Sequence, residues 1–329
     1  MPGTPASTLL PRRRILGALG ASSAFILVGC GDSGDVTTGG STTDNPGSTS
    51  GGTTGDAPTT GDAITTSNGT SDGETSTDSS TAPDTGDCGA AADAWAAGGT
   101  AAMTAKACYP DPFAGGVQSC TLICETTEGP CTADTEDRED VSEGYAGLPV
   151  RLALLIVDAD TCAPIPGVRV EIWHTQRTGV YSGNTPNPQM CSGGDDDAPN
   201  HLYFRGSQTA GDDGRVNFDT CYPGWYNGRA VHIHFRVYVG DTLHATSQLF
   251  FADSLNAEIF ADHPDYSEFG QPNTTNVSDN IIGSAEDLDP YLLDTQRMPD
   301  GAMLASKVIG VRADPNAESC SVGGMMPPP

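Results

Sequence analysis

The sequence predicts an all-β fold: an antiparallel β-sandwich with disulfide-stapled loops, preceded by a disordered tether. Three observations predict it. Short runs of β-branched, aromatic or alternating residues are separated by Gly, Asp, Asn and Pro clusters, with little helical periodicity between them. Cysteines are frequent in a chain whose first residues read as an export signal. One long early segment lacks the apolar content that a folded layer needs.

Residues 1–29 read as a signal peptide. Arg12, Arg13 and Arg14 form a basic start, and Ile15 to Val28 is an apolar run of 14 residues, shorter than a membrane span. Leu27-Val28-Gly29-Cys30 resembles a lipobox, which implies lipidation on Cys30 of a protein exported to the periplasm or cell exterior and held on a bacterial membrane. Arg12 to Leu16 resembles the twin-arginine pattern, with an ordinary secretory lipoprotein signal as the alternative. Residues 30–87 form the expected tether. From Gly31 to Asp87 there is no aromatic residue and no Lys or Arg, so burial cannot offset the entropy of ordering.

Residues 88–146 are a Cys-rich lead-in, within which the Ala-rich stretch Ala90–Ala107 is expected to be helical. After Cys30, nine cysteines remain (Cys88, Cys108, Cys120, Cys124, Cys131, Cys162, Cys191, Cys221 and Cys320), so at least one is unpaired or bridges two chains. Cys120-x3-Cys124 is the one zinc-like spacing, and no second pair follows at zinc-finger distance. Residues 147–320 should hold the sandwich. Expected strands are Val150–Val157, Val168–Trp173, His201–Arg205, Arg215–Phe218, Val231–Val239, His244–Phe251 and Val308–Val311, with a short helix near Leu255–Ala261. Residues 321–329 read as a disordered tail. The formal net charge of −28 becomes −31 once residues 1–29, with three arginines and no acid, are removed. That sign argues against nucleic acid or an anionic membrane surface as a partner, leaving membrane contact to the lipid anchor.

The chemistry is concentrated in Tyr222-Pro-Gly-Trp-Tyr226-Asn-Gly-Arg229-Ala-Val-His232-Ile-His234-Phe. Alternate side chains on a strand share a face, so His232 and His234 point the same way. Such a pair is either half of a metal site or part of a solvated strand face. Tyr226 lies six residues upstream, where a Pro-Gly turn can fold it back onto that face. Its phenolate is a hard anionic donor suited to Fe(III), whereas Trp225 and Tyr222 read as packing aromatics.

These residues resemble the signature of the intradiol ring-cleavage dioxygenases, the family of catechol, hydroxyquinol and protocatechuate enzymes. Glu171-Ile-Trp173-His174 with Gly179-Val-Tyr181-Ser182 resembles the segment bearing the family's first tyrosine ligand. Thr127-Glu128-Gly129-Pro130, Phe204-Arg205-Gly206 through Phe218, and Thr246-Ser-Gln248 resemble further family motifs, so the likeness spans roughly residues 120 to 285. The resemblance implies a non-haem Fe(III) held by Tyr181, Tyr226, His232 and His234. It also implies Arg229 stabilising negative charge on the ring, Gln248 bonding substrate, and Tyr226 taking up a substrate proton. The implied reaction cleaves a catechol-type aromatic diol with O2 between its hydroxyl-bearing carbons, giving a muconate-type diacid. Two features depart from the pattern. The usual tyrosine after Gly129-Pro130 is Cys131, and the loop Asn184–Asn200 carries Cys191 and Asp195-Asp196-Asp197, expected near the pocket mouth as a solvated acidic run. His174, His201, His244 and His263 match no ligand position. The rival functions are a non-catalytic extracellular binding module on the same sandwich and a zinc hydrolase using the His-x-His pair.

Overall fold

The strand run beginning at Pro149 is apolar at nearly every position because both of its faces are buried. In the computed structural model, which describes residues 88–322, β1 (Pro149–Asp158) lies inside one sheet. The signal, Cys30, the tether and most of the expected tail lie outside the described residues. Val150, Leu152, Leu154 and Ile156 of β1 enter the main core, while Ala153, Leu155 and Val157 pack with Phe113, Met298 and Leu304. A strand buried on both sides loses the alternation that marks a half-buried one.

This first sheet has the order β4-β1-β8-β7, with β4 at Arg215–Cys221, β7 at Asp294–Arg297 and β8 at Met303–Val311. The second has the order β3-β2-β5-β6, with β2 at Arg169–Trp173, β3 at Arg205–Thr209, β5 at His232–Val239 and β6 at Thr242–Phe250. Its period-two pattern sends Val170, Ile172, Ile233, Phe235 and Val237 into the core. Glu171, Trp173, His232, His234 and Arg236 therefore share the opposite face.

Several elements differ from expectation. β1 and β8 pair in parallel, from Val150↔Met303 to Asp158↔Val311, so the architecture is not wholly antiparallel. The long excursion between the two strands supplies the crossover that a parallel pair needs. His201–Arg205 is not a strand: Phe204 takes φ 56°, and the ladder with β2 begins only at Trp173↔Arg205. Tyr203 and Phe204 are buried as turn residues, so their aromatic character reflects packing and not strand propensity. Ala90–Ala107 is no α-helix and keeps only short 3-10 turns at Thr100–Ala102 and Lys106–Cys108. Gly98 and Gly99 interrupt it at φ 91° each, and a short helix without an apolar stripe has little to hold it. The expected short helix is present as α2, Asp253–Asp262; a single turn, α1 (Pro188–Cys191), was not foreseen.

Among the described residues, four disulfides join Cys88–Cys108, Cys120–Cys162, Cys124–Cys320 and Cys131–Cys191. Cys120 and Cys124 thus serve different bridges. Cys221 is the odd thiol, buried, and burial pushes its ionisation up.

Candidate metal centre

His232 and His234 stand on the outer face of β5. The ring of His232 is fixed by Nδ1–H, which donates to the Ala230 carbonyl at 2.6 Å and leaves the Nε2 lone pair free. His234 is flanked in register by Trp173 on β2 and Gln248 on β6. The Trp173 indole stacks on its imidazole, centroids 4.8 Å apart and planes 11° from parallel. Its Nδ1 is buried and has no hydrogen-bond partner.

The two tyrosines come from loops that meet backbone to backbone. Gly224, after Pro223, lies so close to the 176–179 turn that a Cβ there would sit 2.4 Å from the Gln176 carbonyl oxygen and 2.5 Å from that of Arg177. Gly179, at φ 80°, presses equally on the Trp225 carbonyl. This contact sets Tyr181 against Tyr226, with phenol oxygens 3.4 Å apart. Gly224→Ala should therefore cost about 1–3 kcal/mol as overpacking does and displace Tyr226. Denaturant unfolding together with metal content would check this, and wild-type values for both would refute it.

The four groups converge. Tyr181 Oη lies 3.2 Å from Nε2 of both His232 and His234, Tyr226 Oη lies 3.3 Å from His232 Nε2, and the two Nε2 atoms are 3.1 Å apart. Donors placed about 2.0–2.1 Å from one ion, 90–120° apart, would be separated by about 2.8–3.6 Å. The observed spacing fits that test. Among the described residues no group of three or more His, Cys, Asp or Glu is placed to hold a metal. This centre differs in kind, since two of its four donors are phenols.

The electrostatics fit a site completed by a cation. Burial drives both histidines well below their ordinary value, aided by Arg229 at His232 and by His232 at His234, so both imidazoles are neutral donors. Burial, with Tyr226 beside it, raises the Tyr181 phenol well above the ordinary value.

Arg229 reaches over the cluster, with Nη1 3.5 Å from Tyr226 Oη and from His232 Nε2. Its Nη2 donates to Gln248 Oε1, and Gln248 Nε2 donates to the Thr127 carbonyl at 2.8 Å. Its Nε donates at 2.9 Å to Asp279, a wholly buried carboxylate that also accepts from the backbone N–H of Ala230 (2.7 Å), Ile281 (2.8 Å) and Ile282 (3.0 Å). Asp279 thus fixes the fork from behind. Sequence reasoning missed it: it lies 50 residues from Arg229, in an irregular segment with no periodic signal.

The other histidines are placed elsewhere. His174 is buried, bonded to Thr175 O and Thr220 Oγ1, and burial lowers it to about 4. His263 bonds the Ala96 carbonyl, His244 that of Arg312, and His201 pairs with Asp197. Asp195 accepts from backbone N–H groups of its own loop, those of Asp197 and Ala198.

No family model matches the sequence, and no curated protein matches it. Solved structures do. An intradiol ring-cleavage dioxygenase from Tetranychus urticae is 25% identical, with TM-score 0.52, covering 61% of this chain and 98% of that one. A second dioxygenase structure is 26% identical with the same TM-score and the same coverage. The fold is that of the intradiol ring-cleavage dioxygenases. In this chain the intradiol-dioxygenase fold presents Tyr181, Tyr226, His232 and His234 together on the outer face of the second sheet, with Arg229 and Gln248 at its edge. The dioxygenase domain of a carbohydrate-binding fusion protein from Streptomyces sp. SirexAA-E also matches, at 21% identity and TM-score 0.42, over 59% of this chain and 99% of that one.

Proposed function

We propose that this protein is a non-haem Fe(III) intradiol dioxygenase that cleaves a catechol-type aromatic with O2 between its hydroxyl-bearing carbons, giving a muconate-type diacid. The observation that supports it is the convergence of two phenol oxygens and two imidazole nitrogens, five of whose six separations are 3.1–3.4 Å, on an intradiol-dioxygenase fold. Tyr181, Tyr226, His232 and His234 would hold the iron. A bound ferric ion would supply the Lewis acidity that draws electron density from a catecholate ring and makes it reactive toward O2.

The chain's own residues then divide the work. Tyr181 is buried at 3% exposure, whereas Tyr226 is only half-buried. Tyr226 is accordingly the tyrosine that an incoming diol reaches, and, held as a phenolate by the bound ion, it would take one of the diol's protons and become a phenol. Arg229 stays protonated, because its phenol neighbours and Asp279 outweigh the burial that opposes its charge. A fixed cation 3.5 Å from Tyr226 Oη favours the anionic diol and the negative charge that develops on its ring. Gln248 locks the Arg229 fork and presents its amide at the edge of the site. We take the enzyme to act outside the cytoplasm, carried on the lipid at Cys30.

The decisive experiment combines metal analysis, visible absorption and oxygen uptake with catechol, hydroxyquinol and protocatechuate. The expected result is about one iron per chain with a tyrosinate charge-transfer band, lost or shifted in Tyr181→Phe and Tyr226→Phe, and oxygen consumption with at least one diol. Bound zinc indifferent to both tyrosines would overturn the reading in favour of a hydrolase. A colourless iron-loaded protein would overturn it in favour of a binding module.

A further inference from the structure

Tyr181, unlike the two histidines, lies on no strand, so no ladder holds it in place. A closed ring of contacts surrounds it instead. The Tyr181 N–H donates to the Cys191 carbonyl at 2.9 Å. Cys191 is bridged to Cys131, and both half-cystines are buried in one cluster with Trp173 and Tyr181, against which Tyr226 packs. The Cys131 carbonyl accepts from Arg205 Nη2 at 2.7 Å. The same Arg205, wholly buried, returns to the residue after Tyr181: Nη2 and Nε donate to Ser182 O at 2.6 and 3.0 Å, and Nε also lies 3.1 Å from Ser182 Oγ. Cys191 and Ser182 are thereby both tied to Cys131, four residues after Thr127, whose carbonyl accepts from Gln248.

We propose that the Cys131–Cys191 disulfide and Arg205 form a positioning device for Tyr181, and that the centre retains its metal because of this tether. The proposal rests on the ferric reading above. Arg205 Nη2 donates to both carbonyls and Nε adds a second bond to Ser182 O, whereas a lysine ammonium ends one bond short of Nη2 and has no second N–H nitrogen. The covalent bridge prevents the 184–200 loop from carrying the Cys191 carbonyl, and Tyr181 with it, away from the imidazoles. The hydrogen bonds of Arg205 and of the bridged residues go to backbone and Ser182 and not to the four donor atoms, so their hold on the centre is through the placement of Tyr181.

The test compares iron-loaded wild type with Cys131→Val/Cys191→Val, which fills the same apolar volume without a tether, and with a remote control, Cys88→Ser/Cys108→Ser. Each is mixed with excess chelator, and iron release and the tyrosinate band are followed, with melting of the metal-free proteins in parallel. The expected result is iron release at least tenfold faster in the valine pair, with a weakened or shifted band, and wild-type release and band in the control. A valine pair that melts lower yet keeps the wild-type band and release rate would show the bridge to be merely structural and would overturn the proposal. Should the valine pair not fold, Arg205→Lys is the second variant. It keeps the bridge and the charge but falls one bond short of Nη2 and lacks the Nε–H on Ser182, and wild-type retention there overturns the proposal equally. A wild type that takes up iron with no tyrosinate band refutes the ferric reading itself, and this inference falls with it.

Discussion

Replacing Arg229 with leucine is expected to lower kcat by about 10²–10³, the scale of losing one preorganised charge-stabilising group, and stability by roughly 3 kcal/mol. The two losses have one cause. The Arg229 side chain is 11% exposed and Asp279 is fully buried, so removing the guanidinium leaves a carboxylate in the interior without its counter-charge. Three backbone N–H groups still solvate that carboxylate, which places the cost at the lower end of the range for a broken buried pair. Arg229→Lys separates the effects. It restores a cation but cannot bond Asp279 and Gln248 at once, so stability should largely recover while kcat stays depressed. Asp279→Asn keeps the shape and removes the anchor's charge; it should loosen the fork and reduce kcat less than Arg229→Leu does. Urea unfolding of the metal-free proteins and steady-state oxygen uptake would measure both quantities. A leucine variant with kcat within a few-fold of wild type would show that the fork does no electrostatic work at the centre.

The parts of this centre that were legible in the sequence are those governed by local geometry. A period of two puts His232 and His234 on one face wherever the chain is extended, and Pro223-Gly224 turns Tyr226 back toward them. Fold class was legible for the same reason, since alternation in β2 and the doubly buried run of β1 are both sequence-local. What escaped depends on contacts between distant segments. Asp279 is paired with Arg229 only because the 276–284 turns fold against the segment that leads into β5. Phe204 reads as a strand residue, yet packing puts it in a left-handed turn. β7 is an exposed edge strand, Asp294-Thr-Gln-Arg297, with no apolar face to reveal it. The disulfide pairing is set wholly by tertiary proximity: neighbouring Cys120 and Cys124 find partners at Cys162 and Cys320.

Metal affinity should rise steeply with pH, and the sign follows from which donors carry a proton that the metal must displace. Burial holds the Tyr181 phenol well above its ordinary value, so at neutral pH its oxygen carries a proton that a cation must displace. Burial holds His232 and His234 well below theirs, so across neutral pH the imidazoles are already free bases and release nothing. Binding therefore expels at least the Tyr181 proton, and each proton expelled makes affinity climb about tenfold per pH unit. Between pH 6 and pH 8 the ferric affinity should increase by about 100-fold or more on that account. Competition against a chelator whose own protonation is known, at pH 6, 7 and 8, measures the slope. Tyr181→Phe should flatten it by about one decade per pH unit, because the displaced proton is gone. A wild-type affinity that does not change over this interval would mean that no phenol proton leaves on binding, and Tyr181 would then be a neighbour of the metal and not its ligand.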